Sequence, residues 1–393
     1  MHSAVPALHD ATAAAPLRVC LVSETYAPEV NGVAMTLERL LQGLLARGHE
    51  VQLVRPRQGP EDHGGAEGAL RVLTVPGLRL PFYPAVQFGL PAASALARLW
   101  REAPPNLVHI ATEGPLGASA LRLARRLGLP VVSAFHTNFH RYAGHYGLGL
   151  LAGPVAAYLR RFHNRCHCTL VPTREQADEL SALGIGNSRV LARGVDTALF
   201  DPARRDAQLR RAWGAEERAP VALYVGRLAP EKNLPLAVHA FLALRQRQPA
   251  ARFVLVGDGP AAAALRRAHP DFVFAGIRRG ADLARHYASA DLFLFPSLSE
   301  TFGNVTLEAM ASGLAVLAFD YAAAHAHIRH GDSGWLVRPG DEAAFLMAAC
   351  ALMAEPHYLA YLGARARQAV AVCDWRCIVA QFEQMCREYA AGV

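Results

Sequence analysis

Short apolar runs alternate with longer amphipathic stretches along the chain, and this alternation constrains the fold more than any other feature. A buried strand, a helix and a second strand form the repeating unit of parallel α/β sheets. The first half contains six predicted strands, at Leu17–Ser23, His49–Val54, Leu70–Val75, Asn106–Ile110, Pro130–Phe135 and Thr169–Pro172. The second half contains six more, at Val221–Val225, Arg252–Val256, Phe272–Ala275, Leu292–Phe295, Ala315–Ala318 and Trp335–Val337. With 393 residues, the chain is expected to form two α/β domains.

Charge and cysteine content narrow the class of protein. The net charge is +7 and the isoelectric point is about 9.2, which suits phosphorylated ligands, nucleic acid or anionic lipid. The sequence has no nucleic-acid motif and no basic stretch interleaved with aromatic residues, so we expect no nucleic-acid partner. The first 16 residues do not resemble a signal peptide, and the seven cysteines are odd in number. A cytoplasmic protein with reduced thiols is therefore expected.

The segment His163–Cys168 combines histidines and cysteines, which suggests zinc at first sight. A structural zinc site needs further ligands at a matching spacing, and the sequence supplies no second half of such a motif. Packing at a helix end is therefore favoured over zinc. No Asp-x-Asp motif lies near the other candidate ligand-binding segments, so we expect no metal and no cofactor.

The run Ser297–Gly313 is the strongest indication of chemistry in the chain. It follows the predicted strand Leu292–Phe295 and continues into a stretch with helix composition, Asn304–Met310. A strand, a glycine-bearing loop and a helix start form an anion site, because the first amides of a helix have no partner within it. Glu300 lies on the loop and Glu308 about two turns into the predicted helix, where carboxylates suit ligand hydroxyls. A nucleotide or a phosphorylated sugar offers both kinds of group.

Lys232 is the only lysine among the 40 Lys and Arg residues. It follows the predicted strand Val221–Val225, as does Arg227. A compact ammonium on a flexible stem differs chemically from a guanidinium, so Lys232 is a candidate for contacting phosphate as a point charge. Chance in an arginine-rich composition is the alternative for Lys232 taken alone, and Arg227 at the same strand end weakens it.

These segments resemble the retaining glycosyltransferases of family 4. The Glu-x7-Glu pair of that family is matched by Glu300 and Glu308, and its Gly-Arg…Glu-Lys-Asn motif is matched by residues 226–233. Two further matches are Ser23–Val33 and Phe135–His140. The resemblance covers nearly the whole chain after a short N-terminal tail.

The resemblance implies the GT-B fold, in which two Rossmann-like domains have parallel sheets that face an interdomain cleft. On this basis we expect a flexible tail at residues 1–16, an N-terminal acceptor domain at 17–200 and a C-terminal nucleotide-sugar donor domain at 201–372. A last helix within residues 373–393 is expected to pack back on the N-terminal domain.

The resemblance also implies roles for individual residues. Glu300 would contact the hydroxyls of the donor sugar, and Glu308 would contact the ribose. Positive charge for the donor diphosphate would come from Arg227 and Lys232. His136, which follows the fifth predicted strand, would lie near the transferred sugar. The other expected donor contacts are Gly32, Gly226, Ile277, Phe302, Gly303, Asn304 and Val305.

The acceptor candidates are Glu113 and His140. Glu113 follows the fourth predicted strand and could orient the acceptor or accept its proton. A carboxylate that caps the helix after Gly114 explains Glu113 equally well. For His140 a structural role is favoured.

The expected reaction moves a hexose from a nucleotide diphosphate to a lipid or glycan acceptor, with retained configuration and attack on the face of departure. GDP-mannose is the first choice of donor. Similar segments occur in a subgroup that resembles mannosyltransferases and sulfolipid synthases, an analogy between families that does not assign the donor. A UDP-hexose stays open. The alternatives are a sugar-nucleotide epimerase of similar architecture and a non-catalytic sugar-nucleotide-binding subunit. A pyridoxal-phosphate phosphorylase is disfavoured, because Lys232 would be its only possible Schiff-base lysine.

Two segments qualify this interpretation. Leu148–Phe162 combines an apolar body with a basic end at Arg160 and Arg161, which is typical of an interfacial helix and predicts peripheral contact with an anionic inner membrane face. A helix that flanks the sheet is the favoured alternative. The segment Tyr321–Ile328 departs from the family, which often has Gly-Gly…Glu there, so donor contacts from this loop are not expected to follow the family pattern.

Overall fold

The computed structural model describes residues 15–29, 31–80, 83–135, 152–216, 219–298, 300 and 302–392. The chain divides into two compact units. The first unit comprises Met1–Phe135, Arg161–Thr169 and Phe382–Val393, and the second comprises His136–Arg160 and Leu170–Gln381.

Strands and helices alternate through both units. The strands are β1 (Arg18–Val22), β2 (Glu50–Pro56), β3 (Gly65–Glu67), β4 (Leu70–Val75), β5 (Gly77–Leu80), β6 (Tyr83–Gly89), β7 (Leu107–Ile110), β8 (Val131–Ala134), β9 (Cys168–Val171), β10 (Ser188–Val190), β11 (Val221–Val225), β12 (Arg252–Val256), β13 (Val273–Gly276), β14 (Leu292–Phe295), β15 (Ala315–Phe319) and β16 (Trp335–Val337). The helices are α1 (Gly32–Ala46), α2 (Ala93–Glu102), α3 (Pro115–Arg126), α4 (Ala152–His163), α5 (Arg174–Ala182), α6 (Ala207–Ala212), α7 (Leu234–Arg247), α8 (Ala262–Ala268), α9 (Gly280–Ala288), α10 (Asn304–Ala311), α11 (Ala322–His327), α12 (Glu342–Met353), α13 (Pro356–Ala369) and α14 (Trp375–Ala391).

An eight-stranded sheet has the strand order β10-β9-β8-β7-β1-β2-β4-β3. Its central strand, β1, pairs in parallel with both β2 and β7, and β3 pairs antiparallel with β4. The strands predicted in the first half are confirmed, with ends that differ by no more than two residues. The sequence did not predict the short strands β3 and β10 or the antiparallel pair of β5 and β6.

A six-stranded sheet has the order β13-β12-β11-β14-β15-β16, and every pairing in it is parallel. In chain order these strands run 3-2-1-4-5-6, the arrangement of a doubly wound Rossmann sheet. The direction of winding reverses between β11 and β14. Ligands in such sheets bind beyond the carboxyl ends of the strands at this reversal, so a ligand is expected at the loops after Val225 and Phe295.

Helix α1 shows how local sequence sets an element that the site depends on. Asn31 is its N-cap, and its side-chain oxygen accepts hydrogen bonds from the amides of Val33 and Ala34 at 3.1 and 2.9 Å. The apolar periodicity of the sequence predicts this helix over Met35–Arg47, and the cap starts it three residues earlier, at Gly32. The buried face is apolar at Leu37, Leu40, Leu41 and Leu44.

The core of the second unit is built on aromatic rings between the sheet and its helices. Phe241 of α7 stacks on Phe253 of β12 at 4.9 Å between ring centres, and Phe272 contacts both edge-on. Burial of such rings contributes most of the free energy that holds a helix on a sheet. This packing holds α7 on β12, which pairs with β11, and the glycine turns described below follow these two strands.

The described residues contain neither a single membrane-spanning helix nor a metal-binding cluster. No single helix in these ranges is both long and apolar enough to cross a membrane, and α12 with α13 meets the length and hydropathy requirement only as a pair bent by 105°. Within the same ranges, no three His, Cys, Asp or Glu side chains are grouped in a way that could hold a metal ion.

Candidate active site

The loop after β11 is shaped by closely packed glycines. Gly226 has φ 151°, and a Cβ on it would lie 3.1 Å from the Tyr224 hydroxyl, which donates a hydrogen bond to the Arg227 carbonyl at 3.2 Å. A Cβ on Gly257, after β12, would lie 1.9 Å from the Gly226 carbonyl oxygen. The turn that starts at Gly257 is therefore a packing surface for the Gly226 loop, and glycine is required at both positions.

Lys232 and Glu300, which were assigned to different parts of a ligand, contact each other. The Lys232 Nζ donates to the Glu300 Oε1 at 2.5 Å, and the side chains are only 19% and 14% exposed. The Ser297 hydroxyl donates to the same oxygen at 2.7 Å, and the Tyr321 hydroxyl donates to the Glu300 carbonyl at 2.9 Å. Sequence reasoning missed Ser297 and Tyr321 as supports of Glu300, although Ser297 opens the run that it singled out.

Arg227 is the exposed cation of the site. Its side chain is 61% exposed, and its guanidinium lies 3.3 Å from the Glu231 carboxylate. An ion pair this exposed contributes little to folding stability, so it can be exchanged for a ligand anion at low cost. Lys232 is the less exposed of the two cations.

The helix α10 begins at a glycine in the left-handed backbone region. Gly303 is its N-cap with φ 91°, a conformation that a residue with a side chain rarely adopts. Gly303 has no side chain to cap this helix, so the amides that follow it are placed as anion donors. Phe302 beside it is 1% exposed, while Asn304 and Val305 are half-buried. The four residues predicted to supply amides thus form one turn.

Glu308 lies one turn into α10, because the helix begins at Asn304. The expectation of about two turns is therefore wrong. Glu308 accepts a hydrogen bond from the Tyr287 hydroxyl at 3.0 Å. Burial raises the pKa of Glu308 to about 7, and the Tyr287 hydrogen bond opposes that rise. Tyr287, a fully buried residue of α9, is a second partner that sequence reasoning missed.

Ile277 follows Gly276 at the end of β13 and is 62% exposed. Gly276 has φ 72°, so the chain turns sharply there. An exposed apolar side chain and bare backbone at a strand end fit the donor contact expected at Ile277, which stays a prediction.

The first unit contains a buried cluster of acids at the carboxyl ends of β1 and β7. Glu24 accepts a hydrogen bond from the Leu116 amide at 2.9 Å, and burial raises its pKa to about 7. Glu24 therefore provides the carboxylate at the start of α3, the capping role considered for Glu113. Glu113 is 7% exposed, and its Oε1 lies 3.2 Å from the Nε2 of the fully buried His163.

Gly32, His136 and His140 are the predicted site residues that remain. Gly32 opens α1 in the first unit. His136 and His140 lie outside the described residues. Within the segment considered for zinc, burial raises the pKa of the Cys166 thiol to about 12, and that thiol lies 3.6 Å from the Phe162 carbonyl oxygen.

The segment that departs from the family forms the short helix α11. Ala322, its first residue, has φ 52°, a strained value for alanine. The Ala323 amide donates to the Phe302 carbonyl at 2.8 Å. This hydrogen bond and the one from the Tyr321 hydroxyl therefore attach the segment to the loop that carries Glu300.

The comparisons with known proteins agree with this geometry. The family model described as "Glycosyl transferases group 1" matches residues 219–355, and the model described as "Glycosyltransferase Family 4" matches residues 30–199. A GDP-mannose-dependent alpha-mannosyltransferase from Mycolicibacterium smegmatis is 36% identical over 366 residues, which are 91% of this chain and 94% of that protein. The chain belongs to glycosyltransferase family 4. The resemblance inferred from the motifs is confirmed.

A further sequence relative and a solved structure are also similar to this glycosyltransferase. An alpha-monoglucosyldiacylglycerol synthase from Acholeplasma laidlawii is 28% identical over 83% of the chain and 86% of that protein. The solved structure of a sucrose-phosphate synthase from Thermosynechococcus elongatus superposes with a TM-score of 0.79 at 21% identity, covering 96% of this chain and 100% of that one. The GT-B fold of the family 4 enzyme is thereby confirmed.

Proposed function

We propose that this glycosyltransferase transfers mannose from GDP-mannose to a lipid or glycan acceptor with retained anomeric configuration. The observation that carries the proposal is the bonded pair of Lys232 and Glu300, which joins the loops after β11 and β14 at the point where the sheet reverses its winding. The name of the M. smegmatis relative supports mannose and GDP as the sugar and the nucleotide.

The donor is proposed to occupy the loops of the second unit. Lys232, Arg227 and the amides after Gly303 would bind the diphosphate, because each supplies positive charge or an amide donor. Glu300 would accept hydrogen bonds from the mannose hydroxyls and Glu308 from the ribose. Ile277 and the turn at Gly276 would contact the base.

The reaction depends on stabilising the leaving diphosphate and needs no nucleophile from the enzyme. The bond between the anomeric carbon and the donor phosphate oxygen breaks, and the electron pair leaves with the diphosphate. Lys232 and Arg227 stabilise that developing charge, which is the largest contribution such donors make to a rate. The acceptor hydroxyl attacks the same face, and its proton passes to the departing phosphate oxygen. No covalent enzyme intermediate is formed, so no second carboxylate near the anomeric carbon is required.

The acceptor is proposed to be a lipid-linked or glycan hydroxyl. The name of the A. laidlawii relative supports a lipid acceptor. His136 would lie near the transferred sugar. Glu113 and His140 stay acceptor candidates, with Glu113 acting from its buried pair with His163.

Peripheral contact with an anionic membrane surface is part of this proposal. In the described part of the segment, Leu159 and Phe162 of α4 are buried, which supports the flanking-helix alternative for that face, while Tyr158 is 43% exposed. Flotation with anionic vesicles at low salt tests the contact. Co-migration supports it, and protein left entirely in the soluble fraction contradicts it.

A transfer assay tests the proposed function. The purified protein is incubated in buffer that contains a chelator, with GDP-mannose or UDP-glucose as donor and micelles of diacylglycerol or monoglycosyl-diacylglycerol as acceptor. The anomeric configuration of the product is assigned by NMR. We expect an α-mannosyl product from GDP-mannose and none from the matched variant Glu300→Gln. A changed nucleotide sugar without acceptor would indicate an epimerase, and donor binding without any turnover would indicate a non-catalytic subunit.

A further inference from the structure

Arg193 is a buried arginine for which the proposed chemistry gives no use. It follows β10 in the second unit and is 6% exposed. Its Nε is enclosed and has no hydrogen-bond partner among the described residues. Burial lowers the pKa of Arg193 to about 10, and the Glu300 carboxylate opposes that fall, so the guanidinium is cationic at neutral pH. A buried cation is costly to folding unless it is compensated.

Arg210 shows what a buried arginine with an ordinary structural role looks like in the same unit. It is also 6% exposed. Its guanidinium donates to the carbonyl oxygens of Ser289 at 2.7 Å and Ala219 at 2.6 Å, and to Asp291 at 3.1 Å. These bonds hold a helix against strand ends and satisfy the charge. No hydrogen bond of this kind is found for Arg193 in the described ranges, so backbone anchoring does not explain it.

The surroundings of Arg193 connect it to the Glu300 loop. Its guanidinium lies over the Phe302 ring at 5.6 Å from the ring centre, and Phe302 is 1% exposed. Stacking on an aromatic face is favourable for a guanidinium and restrains its position. Phe302 lies two residues after Glu300 and directly before Gly303. Arg193 therefore lies beneath the turn that carries the proposed sugar-binding carboxylate.

The charges around the Glu300 carboxylate indicate a role for Arg193. Lys232 is bonded to Glu300 at 2.5 Å, yet the proposed function also requires its ammonium at the donor diphosphate. An ammonium that turns toward phosphate leaves Glu300 with a weaker counter-charge. A guanidinium fixed beneath the loop does not move with Lys232.

We propose that Arg193 is a positioning residue, which holds the Glu300 carboxylate and its loop in place while Lys232 contacts the donor diphosphate. The inference rests on the proposed function for the role of Lys232. Because Arg193 acts through Glu300, its loss displaces the group that contacts the sugar and leaves the nucleotide contacts at Glu308 and Ile277 intact. Small displacements of a positioned group lower the rate of the chemical step more than they weaken binding.

A double-mutant cycle tests the coupling without any donor. Arg193→Met, Glu300→Gln and the double variant are compared with the wild type by denaturant-induced unfolding of the full chain. If the two groups stabilise each other, the double variant loses less stability than the sum of the two single losses. Additive losses would overturn the inference, whatever the enzyme transfers.

Kinetics separate a positioning role from a merely structural one. We expect Arg193→Met to lower kcat at least about tenfold with KM for GDP-mannose changed less than about twofold, and Arg193→Lys to recover part of the rate. The matched control Arg210→Met should lower the melting temperature and leave kcat unchanged. If Arg193→Met behaves like this control, the inference fails. If the wild type shows no turnover, the proposed function fails instead, and the unfolding cycle alone decides the role of Arg193.

Discussion

Lys232 and Glu300 are bonded to each other although each is proposed to contact a different part of the donor. The bond of 2.5 Å is largely shielded from water and is shared with Ser297 through the same carboxylate oxygen. Under the proposed function, such a pair would set the spacing between the diphosphate and the sugar hydroxyls before any ligand arrives. The sequence predicted both residues, but a spacing of 68 positions could not predict that they touch.

Lys232→Arg should lower kcat/KM although it keeps the charge. The planar guanidinium is longer and cannot occupy the position of a compact ammonium between Glu300 and a phosphate. We expect a loss of at least about tenfold, which corresponds to about 1.4 kcal/mol, in steady-state assays with GDP-mannose. Arg227→Lys is the matched exchange at the exposed cation and should cost less. Wild-type kinetics for Lys232→Arg would show that the single lysine is an accident of composition.

Glu308 should make stability depend on pH. Its pKa is raised by burial from 4.5 to about 7, so the folded chain retains this proton to a higher pH than the unfolded chain. Stability contributed by this site is therefore highest below pH 4.5 and falls as the pH rises to about 7. Relative to Glu308→Gln, the wild type should lose about 1–3 kcal/mol between the two ends of this range in urea unfolding. Glu24 titrates in the same way in the wild type and in Glu308→Gln, so its contribution cancels from the difference in stability. Parallel pH profiles of the two proteins would contradict the expectation.

At the scale of elements, the site is built from turns that glycines allow to approach closely. Gly226 and Gly257 end neighbouring strands, and both have positive φ values. Gly303 begins helix α10 and has no side chain to cap it, so the first amides of the helix are placed to donate to an anion. The strands supply rigidity, and the proposed donor contacts from Gly226 to Glu308 lie in the loops that follow the strands and in the start of helix α10.

Gly257→Ala tests this packing. A methyl group would lie 1.9 Å from the Gly226 carbonyl oxygen at a φ of 133°, so the two turns must separate. We expect a loss of at least about 2 kcal/mol in stability and weaker nucleotide binding. Gly186→Ala is the matched control, because a Cβ there meets no atom within 4 Å. Equal melting temperatures for the two variants would contradict the role given to Gly257.

Most of the strands could be predicted from the sequence. Buried parallel strands are continuous apolar runs, so β11, β12 and β14 were predicted with their observed bounds. The short strands β3 and β10 lack such runs, and β5 with β6 alternates weakly, so pattern did not reveal them. The observed helix starts differ from the predicted ones: Asn31 starts α1 three residues earlier, and the start at Asn304 after Gly303 places Glu308 one turn into α10 instead of two.

Side-chain partnerships were the part that sequence could not supply. Tyr287 reaches Glu308 from another helix, and Arg193 lies beneath Phe302 from a distant part of the chain. No local periodicity records such contacts, since they depend on how elements pack. Motif spacing found the residues proposed to touch the ligand and missed those that support them.

At the scale of the whole molecule, the proposed donor contacts from Gly226 to Glu308 all belong to the second compact unit. Gly32, Glu113 and the buried cluster around Glu24 belong to the first. The domain boundaries expected at residues 200 and 372 stay predictions. The net charge of +7 suits a chain that binds a diphosphate donor and an acidic surface.

The most direct test of the central claim is a calorimetric titration of the full chain with GDP and with UDP in a chelator. We predict saturable GDP binding, at least about tenfold weaker UDP binding, and a loss of GDP affinity in Glu308→Gln that corresponds to about 1–3 kcal/mol, as expected for a hydrogen-bonded charged group. Binding of neither nucleotide, or binding that Glu308→Gln leaves unchanged, would contradict the donor site described for this glycosyltransferase.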